Sequence, residues 1–440
     1  MQVIFFNKLA NRSSCVTHCL AIIICHKSRY FVESAVLNSK LAFRQNNYKE
    51  FEFILAQFRP MKKVFTLFIL LFCIYHVKAQ VKWLPKFIQK MYFGNDSTRR
   101  SSFVVLPVLS SAPETGPEVG GAGLYSFYTD TIKGNNTKVS NIYAYASVTT
   151  KGQSRFSLSS TYWEPQNAWH YSSYIGYTHF PFNFYGIGNN TRKADGELVD
   201  EKRFKLNLDA EKLVTKNLYA GVVIGGFNYK YANADPNSLL FETDPQIQDR
   251  FGGASVFVGP SLIYDSRNNN TYTTKGFIIT SYYNLMHGIL GNNNYVGGFF
   301  NIEYSQFFLL SKKLVLAFDV QEQSLTGGRS PFYLLPALGS DEMMRGYYNG
   351  RYRDRNFIAG QTELRYRLSN RIGIVGFTGT GEVARRGFSI NALKPDYGGG
   401  LRYFFDTEKG LSIRADYGIG QKPFGEARES GFYIALGQAF

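Results

Sequence analysis

Cysteine is missing from everything that follows Cys73. The four cysteines of the chain, Cys15, Cys19, Cys25 and Cys73, all lie near its N-terminus. The remainder can therefore hold neither a disulfide bond nor a metal bound by thiolates. The spacing of the first three cysteines matches no zinc-binding pattern, so the sequence predicts no metal and no other cofactor.

Long hydrophobic runs are also scarce. Beyond residue 80 no window holds 18 consecutive apolar residues, which excludes a membrane-spanning helix there. The main apolar run lies within residues 61–79, MKKVFTLFILLFCIYHVKA, where two lysines precede it and a small residue ends it. This order is typical of a secretory signal peptide. We therefore predict that translation starts at Met61, that residues 61–79 are removed on export and that residues 1–60 are an artefactual extension.

Neither sign of charge dominates the exported part. Subtracting the 11 basic and 3 acidic residues of positions 1–80 from the 49 and 33 of the whole chain leaves a net charge of +8. The basic residues are scattered rather than gathered in one segment. This modest, dispersed charge argues against nucleic acid as a partner.

Apolar and polar residues alternate through most of residues 101–440. In FKLNLDAE (204–211) and TELRYRL (362–368), every second residue is apolar or uncharged and the intervening ones are polar or charged. LSIRADYGI (411–419) and GFYIALGQAF (431–440) alternate in the same way, with small residues among the second set. Because successive side chains of a strand point to opposite faces, each segment predicts a strand with one apolar face.

Two architectures use such strands: a soluble sandwich buries the apolar face, whereas a transmembrane barrel turns it towards lipid. Charges of opposite sign, such as Glu363, Arg365 and Arg367, share the polar face, as a lumen that balances its own charge requires. The 31 tyrosines and 38 phenylalanines suit aromatic girdles at two membrane interfaces. Closure also removes exposed strand edges. The signal peptide and these features favour an all-β, antiparallel transmembrane β-barrel over residues 101–440.

The strand count sets the size of this barrel. Sixteen segments are predicted, an even number, as bacterial single-chain barrels normally have. Short turns at 368–371 and 406–410 are predicted at one end, and long loops at 243–250 and about 327–356 at the other. Residues 80–100 remain as a short periplasmic segment. The predicted strands are 102–111, 117–128, 138–150, 152–163, 167–179, 201–212, 216–231, 251–266, 275–289, 294–310, 312–326, 357–369, 371–384, 395–406, 409–420 and 431–440.

Several short motifs, in order along the chain, resemble one known family. They are LPVLSSAPETG (106–116), FYGIGNNT (184–191), YDSRNNNTYTTKG (264–276), MRGYY (344–348) and the pair GGGLRYFF (398–405) and IRADYGIG (413–420). Together with a terminal Phe440 they resemble the outer-membrane assembly-factor superfamily, also called the bacterial surface antigen family, typified by BamA and TamA. The resemblance marks Asp265, Arg267 and Gly276 as a hairpin signature and Phe440 as a C-terminal signal.

The same resemblance implies a functional role for the long sixth extracellular loop. In this family the loop folds back into the lumen, where its arginine is held by acids of the inner wall. Arg345 corresponds to that arginine, with Gly346 allowing a tight bend and Tyr347 packing on the wall. Glu363 is its expected partner, because it faces inward on the next strand and matches the position of the family's acid there. A guanidinium can pair bidentately with such a carboxylate.

A second acid of the family pattern is missing from this sequence. The strand that should carry Phe-x-Asp-x-Gly reads FTGTG, with Gly379 in place of the aspartate. Glu382 and Asp416 are the candidates to substitute for it. The other arginines of the loop are expected to balance the charge of wall carboxylates.

The resemblance implies an outer-membrane protein that aids insertion or translocation of proteins or lipids. Its expected partners are outer-membrane lipids, unfolded outer-membrane protein substrates and a periplasmic protein, since residues 80–100 leave no room for the family's polypeptide-transport-associated domains. The alternative is a passive or plugged channel, or a structural barrel. An enzyme is not expected, because the exported part has only His170, His179 and His287 and none accompanies a nucleophile motif.

Overall fold

The computed structural model describes residues 101–130, 137–232, 248–290, 295–328 and 330–440. The predicted extension, signal peptide and periplasmic segment lie outside these residues. Within them no helix combines the length and the apolar character needed to cross a membrane.

The described residues form seventeen strands. Sixteen of them build a closed antiparallel β-barrel, in which each strand pairs with its neighbours in chain order and the first pairs with the last. The remaining strand, β6, is short and pairs with the start of β7. The strands are β1 (Ser102–Ala112), β2 (Gly116–Phe127), β3 (Ser140–Thr149), β4 (Ser154–Trp163), β5 (Trp169–His179), β6 (Phe182–Phe184), β7 (Glu197–Thr215), β8 (Leu218–Ala232), β9 (Gly252–Asp265), β10 (Gly276–Leu290), β11 (Val296–Ser311), β12 (Leu314–Gly327), β13 (Asn356–Arg367), β14 (Ile372–Ala384), β15 (Lys394–Asp406), β16 (Leu411–Ile419) and β17 (Ser430–Leu436).

The predicted sixteen-stranded barrel is therefore confirmed, and most strand ends agree within three residues. β7 is longer than predicted because its first residues pair with the unpredicted β6. The last strand is shorter: it ends at Leu436 and not at residue 440. Gly437 has a φ of +85° and its N–H donates to the carbonyl oxygen of Ser412, so the chain turns out of the strand there.

The two faces of the barrel wall invert the pattern of a soluble protein. On β13 the side chains of Gln361, Glu363 and Arg365 are buried, whereas those of Leu364 and Tyr366 are exposed. The largest fully buried side chains of the described residues include five arginines, and large apolar side chains are exposed on strand after strand. A sandwich would bury the apolar face instead. The alternation therefore reports a lipid-facing exterior and an ionic interior.

The ring is closed by a sparse seam between β1 and β17. Among the described residues their ladder has a single register pair, Ser111 opposite Phe432. The neighbouring β1–β2 ladder, by contrast, is continuous from Ser102 opposite Ser126 to Ala112 opposite Gly116. Beyond this pair, the described facing edges of β1 and β17 are not paired with each other, even where both strands continue.

Candidate functional site

The loop between β12 and β13 lies inside the barrel. We number the connections at this end L1 to L8, so that this loop is L6 (residues 328–355). Its side chains Leu338, Met344 and Tyr347 are buried in one cluster with Phe357 and Ala359 of the inner face of β13. Phe332 and Tyr333, nearer its start, pack in a second cluster with side chains of β6 to β12. Burial of these apolar groups holds L6 against the wall.

Arg345 projects from L6 into the most enclosed part of the lumen, with 0% of its surface exposed. Its Nη2 donates to Oε1 of Glu363 at 2.7 Å and to Oε1 of Gln361 at 3.0 Å, and its Nη1 donates to Oδ2 of Asp416 at 2.8 Å. The guanidinium carbon lies 3.4 Å from the centroid of the Phe377 ring. These contacts come from β13, β14 and β16, so one loop residue joins three strands of the wall.

Both carboxylates that bind Arg345 have further arginine partners. Glu363 accepts a bond from Nε of Arg365 at 2.8 Å, and Asp416 accepts bonds from Arg402 and, at 3.5 Å, from Arg414. All of these charges are enclosed, where unpaired ions are very unfavourable. The cluster is thus a network in which each group depends on several others.

A carboxylate from the neighbouring strand occupies the place of the aspartate that the family pattern has at position 379. Gly379 lies directly opposite Asp396 of β15, and a Cβ built on Gly379 would collide with the Asp396 carboxylate. Asp396 is fully buried and interacts electrostatically with Arg345. A glycine on β14 therefore leaves room for an acid that enters from the next strand.

The two candidate substitute acids have different outcomes. Asp416 contacts Arg345, but Glu382 does not: it accepts a hydrogen bond at 2.5 Å from the backbone N–H of Ser389, in the middle of the β14–β15 loop. Residue 382 is an odd number of positions from Phe377, which faces the lumen, so strand alternation places the two on opposite faces. The same alternation, applied to β15, could have pointed to Asp396, which the sequence reasoning missed.

Gly346 permits a contact between two backbones. Its φ is +100°, and a Cβ at this position would lie 2.7 Å from the carbonyl carbon of Gly418 on β16. Its N–H donates to the hydroxyl of Tyr433 on β17 at 3.0 Å. Tyr347, the next residue, donates its hydroxyl hydrogen to the carbonyl oxygen of Pro395 at 2.6 Å.

We expect Gly346→Ala to lower the free energy of unfolding by about 2–4 kcal/mol, because it adds backbone strain and overlap with Gly418. Urea unfolding in detergent, followed by gel mobility, measures this change. Gly376→Ala is the matched control, since its Cβ would meet open space. Equal effects of the two substitutions would contradict the close backbone contact.

A second arginine of L6 joins the loop to L8 (residues 420–429). Arg351 is buried, and its guanidinium lies 2.5 Å from Glu426 and 3.3 Å from Glu429. The backbone N–H of Tyr348 also donates to Glu429 at 3.0 Å. Partial burial by itself would raise the pKa of Glu426. The hydrogen bond from the Lys193 N–H and the charge of Arg351 outweigh this effect and lower that pKa. Glu429 immediately precedes β17, so this clasp connects L6 to the strand at the seam.

The two remaining arginines bind backbone carbonyls more than carboxylates. Arg353 donates from Nε to Gly350 at 3.0 Å, and Arg355 donates to Gly327 at 2.8 Å and to Gly328 at 2.6 Å. Only Arg351 of the three forms an ion pair of 4 Å or less within the described residues, and its partners belong to a loop. Arg353 also interacts electrostatically with Glu201 of β7, so the expected balance with wall carboxylates stays a prediction.

A double-mutant cycle tests the Arg351–Glu429 pair. We expect Arg351→Gln and Glu429→Gln to show a coupling of about 1–3 kcal/mol in urea unfolding, because both groups are enclosed. The same cycle on Arg192 and Asp195, whose side chains pair at 2.8 Å but are well exposed, should show no measurable coupling. Independent effects of the two first substitutions would show that the clasp contributes nothing.

The hairpin signature lies far from L6, at the opposite end of the barrel. Arg267 donates to Asp265 through Nε at 3.0 Å and Nη2 at 2.8 Å, and Lys138 reaches the same carboxylate at 2.7 Å. Gly276 has a φ of +92°, where a Cβ would overlap the carbonyl group of Ser266. These residues shape the β9–β10 hairpin and tie it to the β2–β3 connection.

Phe440 bends inward with the turn at Gly437. Its carbonyl oxygen accepts a hydrogen bond from Nη2 of Arg365 at 3.0 Å, and its ring lies 4.6 Å from that guanidinium. The ring centroid is 6.0 Å from that of the buried Phe307. The C-terminus thus meets the arginine that also binds Glu363.

Part of the lumen stays open beside L6. A cavity of about 440 Å³ is bordered by β1 to β8, L6 and β17, and its lining includes Glu118, Arg155, Arg203 and Tyr433. Burial raises the pKa of Glu114, in the β1–β2 turn at its rim, to about 7. Two histidines lie beside carboxylates: Nδ1 of His170 is 2.9 Å from Glu211, and Nε2 of His179 is 2.5 Å from Asp200. Within the described residues no cluster of acids, histidines and cysteines could hold a metal.

Fold and site together define a class: a membrane β-barrel whose sixth loop is held in the lumen by a buried arginine. The chain belongs to the Omp85 superfamily, because the model of the Omp85 superfamily domain matches residues 135–440. This confirms the family resemblance of the motifs.

A solved structure of low sequence identity shows the same fold, and a second is reported as similar. BamA from Haemophilus ducreyi lacking POTRA domains 1–3 is 14% identical with a TM-score of 0.50, over 77% of this chain and 70% of that one. CdiB from Acinetobacter baumannii is 13% identical with a TM-score of 0.49, over 76% and 59% of the two chains. No curated protein matches this chain.

Proposed function

We propose that this protein resides in the bacterial outer membrane and aids the insertion or translocation of proteins there. The observation that carries the proposal is the seam, where β1 and β17 share one register pair. In a bilayer, backbone groups without partners cost several kcal/mol each, so a sparsely paired seam is a weak point of the wall. An incoming strand can add to such an edge through main-chain hydrogen bonds.

The position of L6 supports this role. Gly346 donates to Tyr433 of β17, and the Arg351 clasp holds the residue that precedes β17. L6 therefore contacts both the wall and the β17 side of the seam. We propose that the group Arg345, Gly346, Tyr347 and Glu363, the loop lock, keeps the seam closed until a substrate arrives. The proposed partners of the protein are outer-membrane lipids, unfolded barrel proteins and a periplasmic delivery protein. The proposed function involves no chemical step and no cofactor.

Reconstitution into liposomes tests the function directly. The protein is reconstituted into liposomes, and an unfolded outer-membrane barrel protein is diluted from urea onto them. The folding of this substrate is followed by gel mobility. We expect faster folding than on empty liposomes or on liposomes that contain an unrelated barrel. Folding at the same rate in all three would exclude assembly activity.

The second candidate is a channel, favoured by the cavity that remains beside L6. Its lining carries Arg155, Arg203 and Arg353 together with four carboxylates, those of Glu114, Glu118, Glu201 and Asp341, so the charges nearly balance and weak ion selectivity is expected. Planar-bilayer recordings should then show conductance that rises when Arg345→Met releases L6. Silent recordings with both proteins would exclude a channel.

A further inference from the structure

Three loops meet at the L6 end of the barrel, next to the seam. They are L3 (residues 180–196), L7 (residues 385–393) and L8. Nδ2 of Asn189 in L3 donates to the carbonyl oxygen of Ala392 in L7 at 2.8 Å. The backbone N–H of Lys193 in L3 donates to Glu426 in L8 at 2.7 Å. These bonds make the loops one continuous surface.

The outer side of L7 and L8 is positively charged. Arg385, Arg386, Lys422 and Arg428, which we call the basic rim, are all exposed. L7 contains no acidic residue, and both acids of L8 are engaged by Arg351. The basic rim therefore has an excess of positive charge that its own loops do not neutralise.

Large apolar side chains stand among these cations. Ile390 is 87% exposed, and Phe424 is fully exposed, with Phe388 nearby in sequence and also exposed. Exposed aliphatic and aromatic groups at a loop tip are unfavourable in water. Their combination with lysine and arginine is characteristic of segments that lie in a membrane interface.

A hydrogen bond shows where the rim lies relative to the bilayer. Nη1 of Arg428 donates to the hydroxyl of Tyr397 at 2.6 Å. Tyr397 is exposed on the outer face of β15, and Tyr417 is exposed in the same way on β16. Outward-facing tyrosines of a barrel wall mark the level of the lipid headgroups. Arg428 is thus held at that level.

We propose that the basic rim binds the phosphate groups of anionic lipids in the leaflet at the L6 end, while Phe388, Ile390 and Phe424 enter the interface. The inference rests on the membrane location given under the proposed function. Lysine and arginine clusters beside a membrane attract anionic lipids through their charge. A soluble polyanion would satisfy the cations but leave the three apolar side chains in water, so the lipid surface is favoured. The site would recruit such lipids to the side of the barrel that carries the seam.

The test measures the lipids retained by the full-length protein. The protein is placed in nanodiscs of equal parts phosphatidylcholine and phosphatidylglycerol, then stripped gently with detergent, and the bound lipids are counted by native mass spectrometry. We expect about threefold enrichment of phosphatidylglycerol, falling to the bulk ratio in the variant Arg385→Gln, Arg386→Gln, Lys422→Gln, Arg428→Gln. The enrichment should also fall in 1 M NaCl, where charges are screened.

A control variant removes the same number of charges from the opposite end. Lys212, Lys216, Lys312 and Lys313 are exposed there, and their replacement by glutamine should leave the enrichment unchanged. An equal loss in this control would overturn the proposal, since the effect would then follow net charge. Enrichment that persists in the rim variant would also overturn the proposal. The same holds if soluble tripolyphosphate, at a concentration equal to that of the lipid, abolishes the enrichment.

This measurement is independent of the assembly assay. If the basic rim binds no anionic lipid, the protein can still accelerate the folding of a barrel substrate on liposomes. If it does not accelerate folding, the lipid counts still show whether the basic rim binds anionic lipid. The two proposals can therefore fail separately.

Discussion

Arg345→Met should lower the free energy of unfolding of the barrel by about 3–5 kcal/mol, the range found when one partner of a buried ion pair is removed. The substitution removes the cation that binds the fully buried Glu363 at 2.7 Å and Asp416 at 2.8 Å, and leaves these carboxylates to Arg365 and Arg402. It also removes the cation next to the Phe377 ring. Urea unfolding in detergent, monitored by gel mobility, measures the loss.

Two further variants make this prediction specific. Arg386→Met removes an exposed arginine of L7 and should leave stability unchanged. Arg345→Lys keeps the charge but lacks the fork that reaches Glu363 and Asp416 together, so it should recover only part of the loss. Protease cleavage within L6 should become faster in Arg345→Met. Wild-type stability and wild-type protection of L6 in that variant would show that the buried pairs do not hold the loop.

The largest effect on activity is expected from closing the seam. A disulfide between Ser111→Cys and Phe432→Cys, in a chain whose four native cysteines are replaced by serine, joins the one pair of residues that β1 and β17 share. If substrates enter through this seam, their folding rate should fall to that of empty liposomes and return after reduction. Directly opposite residues of antiparallel strands have suitable Cα separations for such a bond.

The matched control places the same bond two strand pairs further on. Val119 and Val148 are opposite each other on β2 and β3, and both are exposed on the outer face. A disulfide between Val119→Cys and Val148→Cys should leave the folding rate unchanged. Full activity of the oxidised variant with the bond between positions 111 and 432 would show that substrates do not enter through the seam.

The loop lock and the seam are physically connected. Asp416 binds Arg345 and lies directly opposite Tyr433 in the β16–β17 ladder. The hydroxyl of Tyr433 accepts a hydrogen bond from the Gly346 N–H. Glu429, just before β17, pairs with Arg351 of L6 and adds a further contact between the loop and this strand. Displacement of L6 would remove contacts from β17 as well as from the wall. Loss of the lock is thus expected to loosen the seam, which links the stability and activity predictions.

The sequence by itself determined the strands, their order and which face of each meets lipid. These properties depend on alternation between neighbours one and two positions apart, as on β13, where Glu363 and Arg365 face inward and Leu364 and Tyr366 outward. The motif around Arg345 also predicted a loop arginine and an acid, Glu363, that the structure brings within 2.7 Å. The same alternation, applied strictly, would have favoured Asp416 over Glu382.

Only the tertiary structure decided which residues meet across the lumen. Asp396 fills the space left by Gly379 because β14 and β15 are in one particular register. Arg351 reaches Glu426 and Glu429, more than seventy positions away, because L6 folds back onto L8. Strand alternation is a local property, but register and loop docking depend on the closure of the whole ring. For this reason the faces could be predicted from sequence, whereas most contacts of the site could not.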